Sequence, residues 1–292
     1  MKLKVKNLTK SFDNKTVLRD VSFSIRNNEI FGLLGPNGAG KTTMIRIILN
    51  ILKQNSGEVK IFGKSFSEEI KNRIGYLPEE GNLYKDNTVC EVIRYFARLK
   101  GVEDPDTRMD EMLRKFDLYE HRKKKVQELS KGMQRKMMFI IAVLHDPDIL
   151  ILDEPFSGLD PINKKLVKGV ILDLKKNGTT IIMSTHQMAE VEKMCDRILM
   201  INKGRKVLYG GLNEIKKRYG FSIFVYYRGR LPKISGVKKV DDYGSHAELV
   251  LEKGTDTQQV LKKLAAKVEI KKFEVKTRSL SEIFIDVVQN EK

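Results

Sequence analysis

The chain has 292 residues, 41% of them hydrophobic and 32% charged, with a formal net charge of +17. That length suits one large or two modest domains with a sizeable core, and no stretch approaches the roughly 18 apolar residues that would span a bilayer. The positive charge is spread along the chain, with no basic tail and no base-stacking aromatic cluster, which argues against a nucleic-acid partner.

The basic N-terminus Met1–Lys6 is followed by no apolar segment, so no secretory signal is expected and the protein should stay on the cytosolic side. Cys90 and Cys195 lie in different motif regions; no disulfide framework is expected, in agreement with a reducing compartment. Leu3, Val5 and Leu8, then Val17 and Leu18, then Val21, Phe23 and Ile25 predict short antiparallel strands. Ile30–Leu34 predicts a buried strand and Met44–Leu49 a largely buried helix. Between them, Gly35-Pro36-Asn37-Gly38-Ala39-Gly40-Lys41-Thr42-Thr43 is a complete G-x-x-x-x-G-K-[ST] phosphate loop. Its glycines let the backbone fold tightly around an anion with consecutive N–H groups pointing inward. The following helix adds its positive dipole end. Lys41 supplies a point charge for the β- and γ-phosphates, and the Thr42 hydroxyl can ligate Mg²⁺. By itself the loop says only that a nucleoside triphosphate binds.

Gly57–Gly63 encloses another short strand. From about Asn87 to His145 the chain reads as mainly helical, with Val89, Val92, Ile93 and Phe96, then Met109, Met112 and Leu113, as core positions. Lys123-Lys124-Lys125 reads as a solvated loop or as a point of attraction to an anionic leaflet. Leu129-Ser130-Lys131-Gly132-Met133 precedes a helix from about Gln134 to Leu144. A hydroxyl and a glycine N–H there make a second anion site, or Ser130 is an ordinary helix cap.

Asp148–Leu152 and Thr180–Ser184 predict buried parallel strands with function at their C-terminal ends. The first runs straight into two carboxylates. Asp153 suits a Mg²⁺ shell and Glu154 a general base for water, both of which phosphoryl transfer needs. Ile198–Ile201 with the turn Asn202-Lys203-Gly204 reads as a hairpin arm. Near Lys217–Gly220 the texture changes. Phe221, Ile223, Val225 and Tyr227 alternate, as do Leu249 and Leu251, and Val268 and Ile270. With helices at Thr257–Ala266 and from Ser279 onward, these form a small α+β appendage carrying no catalytic motif.

The ordered motifs resemble the nucleotide-binding subunit of an ATP-binding-cassette (ABC) transporter over roughly residues 1–217. Walker A is Gly35–Thr42, and Walker B is Ile149–Asp153 with Glu154 after it. Ser130-Lys131-Gly132-Met133 sits where that family has its signature. Ser157-Gly158-Leu159-Asp160 resembles the D-loop, and His186 after Ile181–Thr185 resembles the switch histidine. Phe12 matches the aromatic that stacks on adenine, and equally suits a core. Glu79 stands where the family often has Gln, and Lys131 and Met133 where Gly and Gln are common. Both departures resemble the sodium- and drug-exporter branch, whose permeases are separate chains. Arg278–Phe284 also resembles the C-terminal extension common there.

The resemblance implies an α/β fold: a P-loop NTPase core with an antiparallel β subdomain and a helical subdomain at about 87–145, then a small α+β domain at 218–292. It implies an ATPase subunit that powers an exporter, with ATP and Mg²⁺ as cofactors. Phe12, Gly35, Pro36, Asn37, Gly38, Ala39, Gly40, Lys41, Thr42 and Thr43 would bind nucleotide, with Ser130, Gly132 and Asp160. Ser130 and Gly132 would cover the nucleotide of a second subunit. Thr42, Glu79 and Asp153 would meet the metal. Glu154 would act as base, with Lys41 and His186 as catalytic partners. The implied partners are a separate transmembrane permease and a second ATPase subunit in a homodimer or heterodimer, with no nucleic acid, at the cytoplasmic face of the membrane. The alternative is a soluble ABC-type ATPase acting on a ribosome or DNA. Such relatives usually carry two cassettes or long coiled coils, whereas this chain has one cassette and no sustained heptads. A nucleotide sensor without turnover is a third reading, opposed by the intact Asp153, Glu154 and His186.

Overall fold

A computed structural model describes residues 1–13, 15–81, 84–252 and 254–290. Residues 291 and 292 of the expected C-terminal domain lie outside the described residues. The chain divides into two units, Met1–Tyr209 and Gly210–Lys292.

The first unit opens with β1 (Leu3–Phe12), β2 (Lys15–Ile25), β3 (Ile30–Leu34), α1 (Lys41–Ile48), β4 (Ser56–Ile61), α2 (Glu68–Asn72) and β5 (Ile74–Leu77). Helices α3 (Val89–Leu99), α4 (Pro105–Lys115) and α5 (Lys131–Val143) follow. Then come β6 (Ile149–Asp153), α6 (Pro161–Lys176), β7 (Thr180–Thr185), α7 (Met188–Met194), β8 (Arg197–Asn202) and β9 (Arg205–Gly211), which crosses the division.

Strands β2, β1 and β4 form an antiparallel sheet in that order. The strands at the N-terminus are longer than the alternation suggested, at 10 and 11 residues. The spacing of Leu3, Val5 and Leu8 has a physical reason. The pairing slips between Val5 and Leu8, where Asn7 takes a φ of 47°, so a bulge returns Leu8 to the buried face.

The second sheet has six strands in the order β5-β6-β7-β3-β8-β9. Strands β5, β6, β7, β3 and β8 run parallel. Ile30–Leu34 and Ile149–Asp153 are buried at every position, as expected of strands covered on both faces. The register matters most for function. Asp153 pairs with Ser184, and Leu34 pairs with Thr185. Three strands therefore end side by side, and the residues just beyond them are Glu154, His186 and Gly35. Leu3, Val5 and Phe23 of the small sheet share one core with Phe31 of β3, Met44 and Ile45 of α1, and Ile151 of β6. That shared core fixes α1 against both sheets.

The segment 87–145 is mainly helical, as its periodicity indicates, in α3, α4 and α5. Thr88 and Glu91 close a capping box at the start of α3. Phe116 and Phe139 pack at 5.6 Å between ring centroids.

The second unit holds α8 (Leu212–Tyr219), β10 (Phe221–Arg228), β11 (Val237–Asp242), β12 (His246–Leu251), α9 (Thr257–Ala265), β13 (Glu269–Thr277) and α10 (Leu280–Asn290). Its antiparallel sheet has the order β11-β12-β10-β13. Ile223, Val225, Leu249, Val260 and Leu264 form its core. The change of texture read in the sequence falls at the end of α8, which belongs to this unit. Strand β11, Val-Lys-Lys-Val-Asp-Asp, has no apolar alternation to announce it, as befits a charged edge strand.

Candidate functional site

The phosphate loop is shaped by what crowds it. Gly35 has a φ of 150°, and a Cβ there would stand 2.2 Å from the carbonyl oxygen of Ile201 on β8. Gly40 has a φ of 109°, and a Cβ there would stand 2.7 Å from Leu18 Cδ2 on β2. Only glycine fits either position. Gly40 is also the N-cap of α1 and brings no capping side chain. The first-turn N–H groups of α1 are thus left for an anion, at the positive end of the helix dipole.

Lys41 is 8% exposed. Its Nζ donates to the carbonyls of Gly35 at 2.8 Å and Pro36 at 3.1 Å, so the ammonium lies across the loop it serves. Burial pushes its pKa below the ordinary lysine value, while Glu154, Asp153 and Glu79 pull it back up. Thr42 Oγ1 donates to Asp153 Oδ2 at 3.2 Å, joining the loop to the end of β6. Burial raises the pKa of Asp153, and the Thr42 hydroxyl bond opposes it. Among the described residues no cluster of three or more His, Cys, Asp or Glu could hold a metal by itself. Mg²⁺ does not need one, because it takes one or two carboxylates and completes its shell with phosphate oxygens and water. The Thr42–Asp153 pair of hard oxygens, beside an anion-binding helix end, fits that ion.

Glu154 is 5% exposed and has a φ of 48°. Its Oε1 accepts from the backbone N–H of His186 at 3.0 Å and pairs with His186 Nδ1 at 2.7 Å. Its Oε2 accepts from Thr185 Oγ1 at 3.0 Å. The end of β7 therefore orients both oxygens of the carboxylate at the end of β6.

These groups surround a cleft of about 770 Å³. Of the residues read from the sequence, Phe12, Asn37, Gly38, Gly40, Lys41, Thr42, Thr43, Glu79, Asp153 and Glu154 line it. Gly35, Pro36 and Ala39 complete the loop. His186 reaches the group through Glu154. Ser130, Gly132 and Asp160 do not line this cleft. Ser130 caps α5, its Oγ accepting from Met133 N at 3.3 Å. Asp160 caps α6 by accepting from the N–H groups of Ile162 and Asn163, both at 2.9 Å. A Cβ on Gly132 would lie 3.5 Å from the Gly158 carbonyl, so signature and D-loop are neighbours on another face of the same unit.

Sequence reading missed four contributors. Lys15 and Arg19 on β2 and Lys203 in the turn after β8 add positive charge to the cleft, and as exposed basic residues outside any motif they gave no signal. Arg135, inside the helix expected from about Gln134 to Leu144, donates to the carbonyls of Pro78, Glu79, Asp153 and Glu154.

A phosphate loop between a parallel strand and a helix, with paired acids ending the neighbouring strand, defines a P-loop nucleotide hydrolase. The chain belongs to the ABC transporter ATP-binding proteins: residues 18–157 match the family described as ABC transporter. An uncharacterized ABC transporter ATP-binding protein of Methanocaldococcus jannaschii is 41% identical over 287 residues, covering 98% of both chains. The Nod factor export ATP-binding protein I of Ralstonia nicotianae is 35% identical over 238 residues, covering 80% of this chain and 74% of that one. A solved structure of an ATP-binding subunit of an ABC transporter superposes with a TM-score of 0.71 at 32% identity, covering 75% of this chain and 94% of that one. Residues 210–288 match the C-terminal domain of DrrA1-3-like ATP-binding proteins. The protein is thus an ATP-binding, ATP-hydrolysing subunit of an ABC transporter.

Proposed function

We propose that this subunit powers a membrane exporter, working as a dimer with a separate permease at the cytoplasmic face of the membrane. The observation that carries the catalytic part is the register of β3, β6 and β7, which sets Lys41, Thr42, Asp153 and Glu154 around one cleft with His186 behind the carboxylate. The triphosphate would lie in the loop, against the free N–H groups of α1 and the Lys41 ammonium. Lys41 would exchange its bonds to the Gly35 and Pro36 carbonyls for phosphate oxygens. Phe12, 43% exposed at the rim, offers a ring for the base. Thr42 and Asp153 would hold Mg²⁺, with Glu79 at the same cleft, and the ion when bound neutralises charge on the phosphate oxygens. Glu154 would take a proton from water as its oxygen attacks the γ-phosphorus, releasing ADP and phosphate. Thr185 and the His186 backbone hold that carboxylate in place, and His186 would contact the γ-phosphate.

The dimer is supported by the placement of Ser130, Gly132 and Asp160 away from their own cleft, which leaves them free to face another subunit's nucleotide. The export direction is supported by the likeness to the Nod factor export protein and to the DrrA-like C-terminal domain. Among the described residues no helix is long and apolar enough to cross a membrane, so a permease would supply the path.

Glu154→Gln tests the base. The variant should bind ATP within about threefold of the wild type, lose turnover by about a hundredfold or more, and elute as a dimer with ATP. Turnover near that of the wild type would remove Glu154 from this role.

A further inference from the structure

Arg135 sits on α5 and is 7% exposed. Its guanidinium is a fork with two filled prongs. Nη1 donates to the carbonyls of Pro78 at 2.5 Å and Glu79 at 2.9 Å. Nη2 donates to those of Asp153 at 2.6 Å and Glu154 at 2.7 Å. One prong therefore grips the segment just after β5, and the other grips the end of β6. These neighbouring strands deliver Glu79, Asp153 and Glu154 to the cleft. We infer that Arg135 is a positioning residue for ATP hydrolysis, locking the two strand ends together so that the Glu154 carboxylate is held at one spacing from the substrate.

The acceptors are neutral backbone oxygens, so the group is placed to hold main chain rather than to pair with one acid. A guanidinium suits this because it is planar, permanently charged and can bond to four oxygens at once. The setting is unfavourable for a residue that serves stability alone. The charge is buried, and burial lowers its pKa against the pull of Asp153, Glu79 and Glu154. Its Nε–H is also buried with no partner among the described residues. Met137, Phe139 and Ile140 on the same helix show that this region packs apolar side chains readily. Replacing buried charge by apolar groups of similar volume is often neutral or stabilising. Retaining the guanidinium is explained by what it holds.

The inference rests on Glu154 acting as the base, and the test separates the two. Arg135→Gln and Arg135→Lys are compared with the wild type for kcat, for Kd of a fluorescent ATP analogue, and for thermal stability. Both should lose kcat by about thirtyfold, because Lys keeps the charge but not the fork, while Kd stays within about threefold. In a Glu154→Gln background, measured by single turnover, adding Arg135→Gln should cost less than about threefold, since a group acting through another adds nothing once that other is gone. The inference is overturned if either folded variant keeps kcat within about threefold of the wild type. It is equally overturned if Kd and stability fall in step with kcat, or if the full loss repeats in the Glu154→Gln background. Normal turnover of Glu154→Gln alone would instead overturn the base, and with it the route through which Arg135 acts.

Discussion

Glu154 holds a left-handed backbone conformation that costs a non-glycine residue about 1–2 kcal/mol. It persists because its surroundings over-determine it: its N–H donates to the Ser184 carbonyl at 2.9 Å, and its carboxylate is gripped by Thr185 and His186. Such strain clusters at functional sites, and here it turns the side chain off the strand axis toward the cleft. A second residue sets a pH limit on stability. His145 donates from Nε2 to the Ile74 carbonyl at 3.2 Å, and its Nδ1 is buried with no partner among the described residues. Burial, helped by the nearby Lys100 ammonium, lowers its pKa from 6.5 to about 4. The folded protein therefore keeps this imidazole neutral where the unfolded chain protonates it. Its contribution is complete above pH 6.5 and is lost as the pH falls toward 4. That loss is on the order of 3 kcal/mol. His145→Gln should flatten the acid limb of stability over this window, measured by denaturant unfolding at several pH values. Parallel acid limbs for the two proteins would show that His145 is not the group responsible.

At the scale of elements, three helix starts divide the labour. Helix α1 begins at Gly40 with no capping side chain and so presents bare N–H groups. Helices α5 and α6 begin at Ser130 and Asp160, whose own oxygens already accept from the first turn. Of these three starts only α1 presents N–H groups with no capping side chain, while the Ser130 hydroxyl, which accepts from Met133 N, keeps its own O–H to donate to a phosphate oxygen. If Ser130 closes the site of a second subunit, damage to the two halves should complement. Ser130→Arg and Lys41→Ala subunits should each be inactive alone. Mixed, they should recover about a quarter of wild-type ATPase: half the dimers are mixed under random pairing, and each has one intact site of two. No recovery in mixtures shown to contain heterodimers, or full activity of Ser130→Arg alone, would rule out sharing.

At the scale of the whole molecule, every residue lining the cleft beside the phosphate loop lies within Met1–Tyr209. The second unit carries a separate core around Ile223, Leu249 and Leu264. Saturating ATP bound to Glu154→Gln should therefore slow hydrogen exchange at 12–19, 35–43 and 153–154. Residues 221–277 should exchange unchanged, as read by mass spectrometry of peptides with and without nucleotide. Protection of comparable size in the second unit would mean that it senses nucleotide directly.

Several of these features are legible in the amino-acid sequence because they are local. The phosphate loop needs glycine at Gly35 and Gly40 for reasons of backbone and crowding, and lysine and threonine at fixed offsets for charge and metal, so it can be read from a string of letters. The buried runs of β3, β6 and β7 are equally plain, and so is the alternation of β10. The 3-5-8 spacing of Leu3, Val5 and Leu8 even carries the mark of its bulge. What the letters do not contain is how distant segments meet. That Leu34 pairs with Thr185 and Asp153 with Ser184 is decided by the packing of whole strands and helices, since period-2 and period-3.6 patterns say which face is buried but not against what. In the sequence Arg135 is one charge near the start of an expected helix. Its four acceptors come from the segment just after β5 and from the end of β6, on either side of it in the chain, and only the folded sheet sets them side by side. The sequence alone determined which chemistry the chain carries, because that chemistry depends on residue types at short spacing. The tertiary structure alone decided which residues hold it in place, because holding is done across the sheet by partners with no spacing in common.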